Sequence, residues 1–161
     1  MKESAKHLIL IIFIGVMAFL ISRFAFQLTF VNGDSMAPTL HNRQLLITAK
    51  HFSRSDLTAG DIVVARPSAL SRTIIKRIAG LPGQTIEIRD GRLYADGSPL
   101  SEEYLHGSLT PPGEQSYPLT LAEDEYFLLG DNREHSTDSR FLEVGVIRFQ
   151  EISGKVIFAF A

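Results

Sequence analysis

The sequence predicts a mainly β protein, in which an antiparallel sheet domain follows one N-terminal apolar helix. Two patterns predict this class. Apolar residues are concentrated in the first thirty positions, and beyond residue 31 they fall into short runs separated by Gly, Pro, Asn and Asp. No periodic run long enough for a second helix is visible after the first segment. We therefore expect short strands, arranged as a sandwich or a barrel.

Composition limits the function. The chain has 161 residues, a formal net charge of -2 and no cysteine. The charges are spread along the chain without a basic field, so nucleic acid is not an expected partner. The absence of cysteine excludes disulfides, thiolate nucleophiles and cysteine-based zinc sites. One domain is expected, and nothing in the sequence requires a metal ion or a cofactor.

The apolar N-terminal run is long enough for a membrane anchor. Residues 8–22 contain no charged side chain, and the apolar character resumes after Arg23. A helix over residues 8–31 would be roughly 36 Å long at about 1.5 Å per residue, enough to cross a bilayer core of about 30 Å with Arg23 near an interface. Lys2 and Lys6 favour a cytoplasmic N-terminus. The predicted division is a cytoplasmic N-terminus, a transmembrane anchor and an extracytoplasmic domain, at residues 1–7, 8–30 and 31–161.

A cleavable signal peptide and a buried core helix are the alternatives to an anchor. A signal peptide shares the basic start and the apolar run, but this run is long for one and no clear small-x-small cleavage site follows it. Cleavage there would also disrupt the motif that begins at Asn32. A core helix would have a polar face, which this run lacks. We therefore predict an anchor.

Eight short segments after the anchor have the composition of strands. Asp90-Gly91 lies between two of them and predicts a tight hairpin, because Gly tolerates the positive φ of that turn. Residues 101–116 lack apolar periodicity and contain Pro111-Pro112-Gly113, so we expect an exposed loop rather than a substrate-binding element. The predicted strands are residues 44–49, 61–66, 73–80, 85–90, 92–96, 117–121, 125–130 and 155–160.

Ser35 and Lys76 are the first candidates for chemistry. Ser35 lies in the segment NGDSMAPTL at residues 32–40, where turn chemistry alone would explain a serine. Lys76 lies inside an apolar strand pattern, and alternation places it on one face with Ile74 and Ile78. Burial there would lower its pKa from about 10.4 toward the range of about 7 to 8 that a general base requires. The ordinary alternative is a lysine that extends from a strand edge to solvent.

The third candidate segment is GDNREHSTDSR at residues 130–140. Its turn-forming and hydrogen-bonding side chains predict an ordered loop with an Asp-Arg pair, which is a supporting role rather than a chemical one. A hydroxyl such as that of Ser136 could also hold a neutral lysine amine in position. The residues that carry this expectation are Asp131, Asn132, Ser136, Asp138 and Arg140.

Taken together, these segments resemble bacterial type I signal peptidases. NGDSMAPTL resembles the nucleophile box of that family, GDIVVAR at residues 60–66 the strand after it, IIKRIAGLPGQ at residues 74–84 its lysine box and GDNREHSTDSR its Gly-Asp-Asn box. The order of the boxes and the preceding anchor extend the resemblance over nearly the whole chain. The short domain and single apolar segment are similar to the compact, single-span members.

The resemblance implies roles for single residues. Ser35 is expected to be the nucleophile, and Lys76 the base that deprotonates it and later activates water. Ser136 matches a serine that orients the lysine, and residue 33 is Gly where some members have a serine that helps to form the oxyanion hole. The backbone N-H of Ser35 is therefore expected to contribute more. The predicted supporting residues are Gly33, Met36 as a pocket wall, Asp131, Asn132, Ser136, and the bracing pair Asp138 and Arg140.

The resemblance also implies the substrate and the place of action. The family removes signal peptides from exported preproteins after small-x-small sites, usually Ala-x-Ala, on the outer face of the membrane. We accordingly expect a serine endopeptidase, single-pass in the bacterial cytoplasmic membrane, with its N-terminus inside and its catalytic domain outside. The expected partners are signal peptides and the lipid bilayer.

Three competing interpretations remain open at this point. A Ser/Lys dyad also serves self-cleaving repressors and peptidases dedicated to one exported protein, but a repressor would need a DNA-binding domain. A Ser/His/Asp triad with His41 or His135 would need an α/β frame with long helices, which the pattern lacks. A β-domain adaptor without activity would have no reason to combine Ser35 with Lys76.

Overall fold

The computed structural model describes residues 2–160, except for the side chains of residues 2–5, 18 and 20–23. One helix, α1, is followed by short strands with four single-turn 3-10 helices between them. The predicted position of Arg23 at an interface concerns a side chain outside this description. The regular elements are α1 (Lys2–Ala25), β1 (Phe26–Phe30), β2 (Leu45–Ala49), β3 (Ile62–Ala65), β4 (Ile74–Gly80), β5 (Thr85–Arg89), β6 (Arg92–Ala95), β7 (Ser98–Pro99), β8 (Leu119–Thr120), β9 (Glu125–Leu129), β10 (Ile147–Arg148) and β11 (Ile152–Ala159).

The strands form two antiparallel sheets. The larger sheet has seven strands in the order β1-β2-β11-β3-β4-β9-β10, and the smaller has four in the order β7-β6-β5-β8. Every strand pair is antiparallel, so the predicted mainly β antiparallel class is confirmed. The predicted hairpin is also confirmed, because Arg89 pairs with Arg92 across Asp90-Gly91.

The predicted helix ends earlier than expected. α1 stops at Ala25, and residues 26–30, which we expected to continue it to Val31, instead form β1 and pair with β2. Apolar side chains alternate there with Gln27 and Thr29, which is the period of a strand rather than of a helix. In the described part of the chain, no helix combines the length and the apolar character needed to cross a membrane.

The predicted strands agree with the structure apart from their ends. The strand predicted at residues 117–121 shrinks to β8, because Pro118 has no N-H to donate to a neighbour. β11 begins at Ile152, three residues before the prediction, and β1, β7 and β10 were not predicted. Three clusters of buried side chains pack on the strands, and the cluster of Val31, Met36, Leu40 and Leu46 lies beneath the segment that carries Ser35.

Candidate active site

The segment after β1 holds Ser35 on a short turn. The N-H of Ala37 donates to the carbonyl of Asp34 at 3.1 Å, and the N-H of Leu40 to that of Met36 at 2.9 Å. Met36 is 1% exposed and fixes the turn to the core. Gly33 adopts a φ of +98°, a conformation that favours glycine, and its N-H donates to Asn42 Oδ1 at 3.0 Å. Together these contacts leave Ser35 half-buried beside the cleft.

Strand β4 brings Lys76 to Ser35. The burial pattern of β4 alternates as expected, with Ile74, Lys76 and Ile78 on the buried face. Lys76 Nζ lies 2.6 Å from Ser35 Oγ and donates to the carbonyl of Ile75 at 3.2 Å. The two candidates are 41 positions apart in the sequence and in hydrogen-bond contact in the fold.

Burial lowers the pKa of Lys76. Lys76 is only 3% exposed. Loss of hydration is the largest cause that lowers its pKa from 10.5 to about 8. The nearby carboxylates of Asp138 and Asp131 act in the opposite direction and raise this pKa, while the cations Arg72 and Arg140 lower it. The lysine is therefore held in the range that a general base requires.

Gly130 and Asn132 bring the segment after β9 against the serine turn. The N-H of Asn132 donates to the carbonyl of Ser35 at 3.0 Å, and its side-chain amide donates to the carbonyl of Asp34 at 3.1 Å. A Cβ on Gly130 would lie closer than 3.0 Å to the Ser35 carbonyl oxygen and to the Ser136 hydroxyl. This close approach favours glycine at residue 130 and leaves the serine turn little room to move.

Asp131 pairs with the residue that follows Lys76. Its two carboxylate oxygens accept from Arg77 Nε at 2.8 Å and from Arg77 Nη2 at 2.5 Å. Both side chains are buried or nearly so, at 0% and 11% exposed. A buried bidentate pair fixes orientation more strongly than a surface pair, so it clamps β4 to the segment after β9.

Asp138 and Arg140 form a second buried pair. The Asp138 carboxylate accepts from Arg140 Nε at 2.8 Å and from Nη2 at 2.9 Å, and it also accepts from the N-H of Gly130 at 3.0 Å. Arg140 Nη2 donates in addition to the carbonyls of Arg133 and Ser136 at 2.8 and 3.2 Å. The predicted bracing pair thus closes the loop of residues 130–140 on itself.

Comparison with known proteins decides the family. A sequence profile described as signal peptidase, peptidase S26, matches residues 4–161. The chain belongs to the signal peptidase family. It is 36% identical to signal peptidase I of Bacillus amyloliquefaciens over 99% of this chain and 91% of the relative, and 35% identical to signal peptidase I S of Bacillus subtilis (strain 168) over 98% and 88%. A crystal structure of a signal peptidase I from Enterococcus faecalis V583 has a TM-score of 0.54 at 35% identity, covering 63% of this chain and 97% of that one.

These matches confirm two predictions. The chain is similar to bacterial type I signal peptidases over nearly its whole length, as the ordered boxes indicated, and it is a serine peptidase, a hydrolase of the signal peptidase I type. The likeness to the solved signal peptidase I also agrees with the observed antiparallel sheets. The roles of individual residues are carried by the geometry of this chain and stay predictions.

Ser35 and Lys76 lie in a cleft of about 1260 Å³. The cleft is lined by Ser35, Met36 and Lys76, by residues of β1, and by residues 72–75, which precede Lys76. In the described part of the chain, no group of three or more His, Cys, Asp or Glu side chains could hold a metal ion.

The histidines and Ser136 are placed differently from the dyad. His41 is exposed, and His135 lies at the cleft with its Nδ1 3.2 Å from Asn132 Oδ1. Neither histidine is hydrogen-bonded to Ser35 among the residues described. The Ser136 hydroxyl is buried and has no hydrogen-bond partner within the same part of the structure, so its predicted orienting role stays a prediction.

Sequence reasoning missed the support that residues 101–116 supply. This segment is mostly exposed, as expected, but Glu102, Tyr104 and Thr110 also tie it to Arg77 and Arg133. Arg133, to which Glu102 and Thr110 bind, was also missed. Two signals in the sequence could have indicated this support. Arg77 beside Lys76 and Arg133 in a tight loop both need carboxylate partners if they are buried. Tyr104-Leu105 is also an apolar pair within a polar segment.

Proposed function

We propose that this signal peptidase removes the N-terminal signal peptides of exported preproteins, with Ser35 as nucleophile and Lys76 as general base. The observation that carries the proposal is the 2.6 Å contact between Ser35 Oγ and the buried Nζ of Lys76. A serine hydroxyl needs a base within hydrogen-bond reach, and a lysine serves as one only when its pKa is lowered.

The lowered pKa makes the base available at neutral pH. With a pKa of about 8, roughly a tenth of Lys76 is neutral at pH 7, whereas a lysine at 10.5 is neutral about 0.03% of the time. This is a gain of about 300-fold in the reactive form. Burial between isoleucines therefore supplies what the chemistry needs without a histidine.

The reaction proceeds in two halves. Ser35 Oγ bonds to the scissile carbonyl carbon while its proton passes to Lys76 Nζ, and the lysine then protonates the leaving amine as the peptide C-N bond breaks. A water molecule next gives a proton to Nζ as its oxygen bonds to the ester carbon, and Nζ returns that proton to Ser35 Oγ as the ester C-O bond breaks and the acid product leaves. Gly33 has no side-chain donor for the oxyanion, so the N-H of Ser35 is the proposed backbone donor.

The position of β1 at the cleft supports binding of an extended substrate. β1 is the terminal strand of the seven-stranded sheet, and its neighbours in the cleft include Ile75 and the buried Met36. We propose that the substrate lies along this edge as an added strand, with shallow pockets that accept small-x-small sequences of the Ala-x-Ala type.

Attachment to the bilayer through α1, which holds residues 8–25 of the predicted anchor of residues 8–30, is the second part of the proposal. Along α1 the described apolar side chains from Leu8 to Met17 are exposed to between 40 and 67%, and Phe26, Leu28 and Phe30 of β1 are exposed as well. Apolar surface of this extent is stable in contact with lipid rather than with water. The proposed topology is single-pass, with the N-terminus in the cytoplasm and the cleft on the outer face.

Cleavage of a preprotein in detergent tests the dyad. Wild type is expected to cut after the Ala-x-Ala site, and Ser35→Ala and Lys76→Ala to lose about 10³-fold or more in rate. Lys50→Ala removes an exposed lysine and serves as the control. Normal cleavage by Lys76→Ala would show that the dyad is wrong, and so would loss of activity in a His41→Ala, His135→Ala double variant.

Two further measurements test specificity and attachment. Replacing either small residue of the cleavage site by Phe is expected to abolish cleavage, and unchanged cleavage would contradict the proposed pockets.

The full chain is expected to remain in the membrane pellet after alkaline carbonate extraction, while a Leu10→Glu, Ile14→Glu variant is released. Extraction of the wild type would contradict attachment through α1.

A further inference from the structure

Glu102 connects the segment of residues 101–116 to Arg133, in the loop beside the serine turn. Its carboxylate Oε1 accepts from Arg133 Nη2 at 2.5 Å and from the Tyr104 hydroxyl at 2.8 Å. The side chains of Glu102 and Arg133 are 10% and 0% exposed, so the ion pair is shielded from solvent. Arg133 also donates to the buried hydroxyl of Thr110 and, through Nε, to the carbonyl of Gly130 at 3.0 Å. A single carboxylate therefore links this segment to the strand end beside the serine turn.

Tyr104 covers the other arginine. The Arg77 guanidinium lies over the Tyr104 ring, at 4.0 Å from the ring centroid. The same guanidinium donates two hydrogen bonds to the Asp131 carboxylate. Burial is the main cause that raises the pKa of Tyr104, followed by the neighbouring Glu102 carboxylate, so the hydroxyl stays protonated and remains a donor to Glu102. The guanidinium is thereby held between a ring and a carboxylate.

This network reaches Lys76 through the adjacent Arg77 and reaches Ser35 through the hydrogen bond from Asn132. Arg77 follows Lys76 in β4, and strand alternation points the two side chains to opposite faces, so the position of Arg77 sets the rotation of the strand that aims Lys76. Asn132 follows Asp131, and its N-H donates to the carbonyl of Ser35 at 3.0 Å. Movement of the Arg77-Asp131 pair would change the distance between Oγ and Nζ from both sides.

We propose that Glu102 and Tyr104 are positioning residues, which hold Ser35 and Lys76 at reacting distance by acting through Arg77 and Asp131. This inference rests on the proposed dyad. Neither residue touches the cleft in which the substrate would bind, so their removal is expected to impair the chemical step rather than binding. A segment that merely stabilises the fold would change the melting temperature and leave kcat and its pH dependence intact.

Kinetics of the full chain in detergent, with a peptide that carries an Ala-x-Ala site, test this role. Tyr104→Leu is expected to lower kcat about tenfold with KM within about twofold, and to raise the pH of the acid limb by about half a unit, because a loosened lysine regains hydration. Tyr104→Phe keeps the ring over the guanidinium and is expected to stay within about threefold of wild type. Glu102→Gln is expected to lower kcat about threefold.

A matched control exists in the smaller sheet. Tyr94 lies under Arg89 at 4.2 Å, so Tyr94→Leu removes the same kind of contact away from the cleft. It is expected to keep wild-type kcat and acid limb. A folded Tyr104→Leu with wild-type kcat and acid limb would overturn the inference, and if that variant does not fold, wild-type kcat in Glu102→Gln would overturn it. Failure of the dyad itself has a different signature, since Ser35→Ala or Lys76→Ala would then remain active.

Discussion

Lys76→Met is expected to destroy activity and to stabilise the fold. The folded protein holds the pKa of Lys76 at about 8, below its ordinary value of 10.5. This difference corresponds to about 3 kcal/mol at ~1.36 kcal/mol per pH unit, which is the free energy spent on keeping an ammonium in a dry site. Met has a similar volume and no charge, so the variant avoids this cost.

The sign of the effect depends on pH. Between about pH 8 and 10.5 the unfolded chain binds a proton that the folded chain has lost, so the stability of the wild type rises with pH across this window. Below pH 8 the cost is fully present. The loss of the hydrogen bond to Ser35 offsets about 1 kcal/mol, which leaves an expected gain of about 2 kcal/mol for Lys76→Met at pH 7.

Urea unfolding in detergent, followed by near-ultraviolet circular dichroism, measures this gain. The free energy of unfolding is compared between wild type and Lys76→Met at pH 7 and pH 10, with Lys50→Met as the control for an exposed lysine. The advantage of Lys76→Met should shrink strongly at pH 10, and Lys50→Met should show none. Equal stability of wild type and Lys76→Met at pH 7, or an advantage independent of pH, would refute the reasoning.

Further outcomes are expected from the same site. In the wild type, kcat/KM should rise about tenfold per pH unit below pH 8 and level off above it, because only neutral Lys76 acts as base; a flat profile from pH 6 to 9 would contradict this. Arg72→Gln should move that acid limb to higher pH, since Arg72 lowers the pKa of the lysine, and a downward shift would be inconsistent with it. Gly130→Ala should fold and yet lose about tenfold or more in kcat, because its Cβ would displace the serine turn; wild-type kcat would argue against that contact. Asp131→Asn leaves a buried arginine unpaired and should cost about 3 to 5 kcal/mol in urea unfolding, against which a loss below 1 kcal/mol would count.

Local pattern was sufficient for most of the sheet and for the face of β4 on which Lys76 lies, but it left open whether the lysine is buried. Alternation of Ile74, Lys76 and Ile78 predicts one shared face, and that face is buried because Ile74 and Ile78 pack into one core cluster. The same rule was available for residues 26–30 and was missed, because the apolar character of β1 continues that of α1 without a break in composition. Hydrophobicity alone does not distinguish the end of an apolar helix from the start of an exposed strand.

Contacts between distant charged residues were beyond local pattern. Glu102 and Arg133 are 31 positions apart, and neither lies in a periodic element that would indicate a partner. The contact between Ser35 and Lys76 was likewise expected only from the order of the family boxes, since no spacing rule brings a turn and a strand 41 positions apart together. For Ser136 the family pattern suggests a role, while the hydroxyl has no protein partner in the described structure.

The direct passage from α1 into β1 has a consequence for the position at which the enzyme would cut its substrates. No linker separates Ala25 from Phe26, and the carbonyl of Ala25 is held by the N-H of Lys50 at 2.9 Å. Under the proposed attachment, the height of the cleft above the lipid is set by a paired strand rather than by a tether. Under this proposal the fixed height selects the cleavage position. A preprotein would be cut where its small-x-small site lies at that height above the membrane.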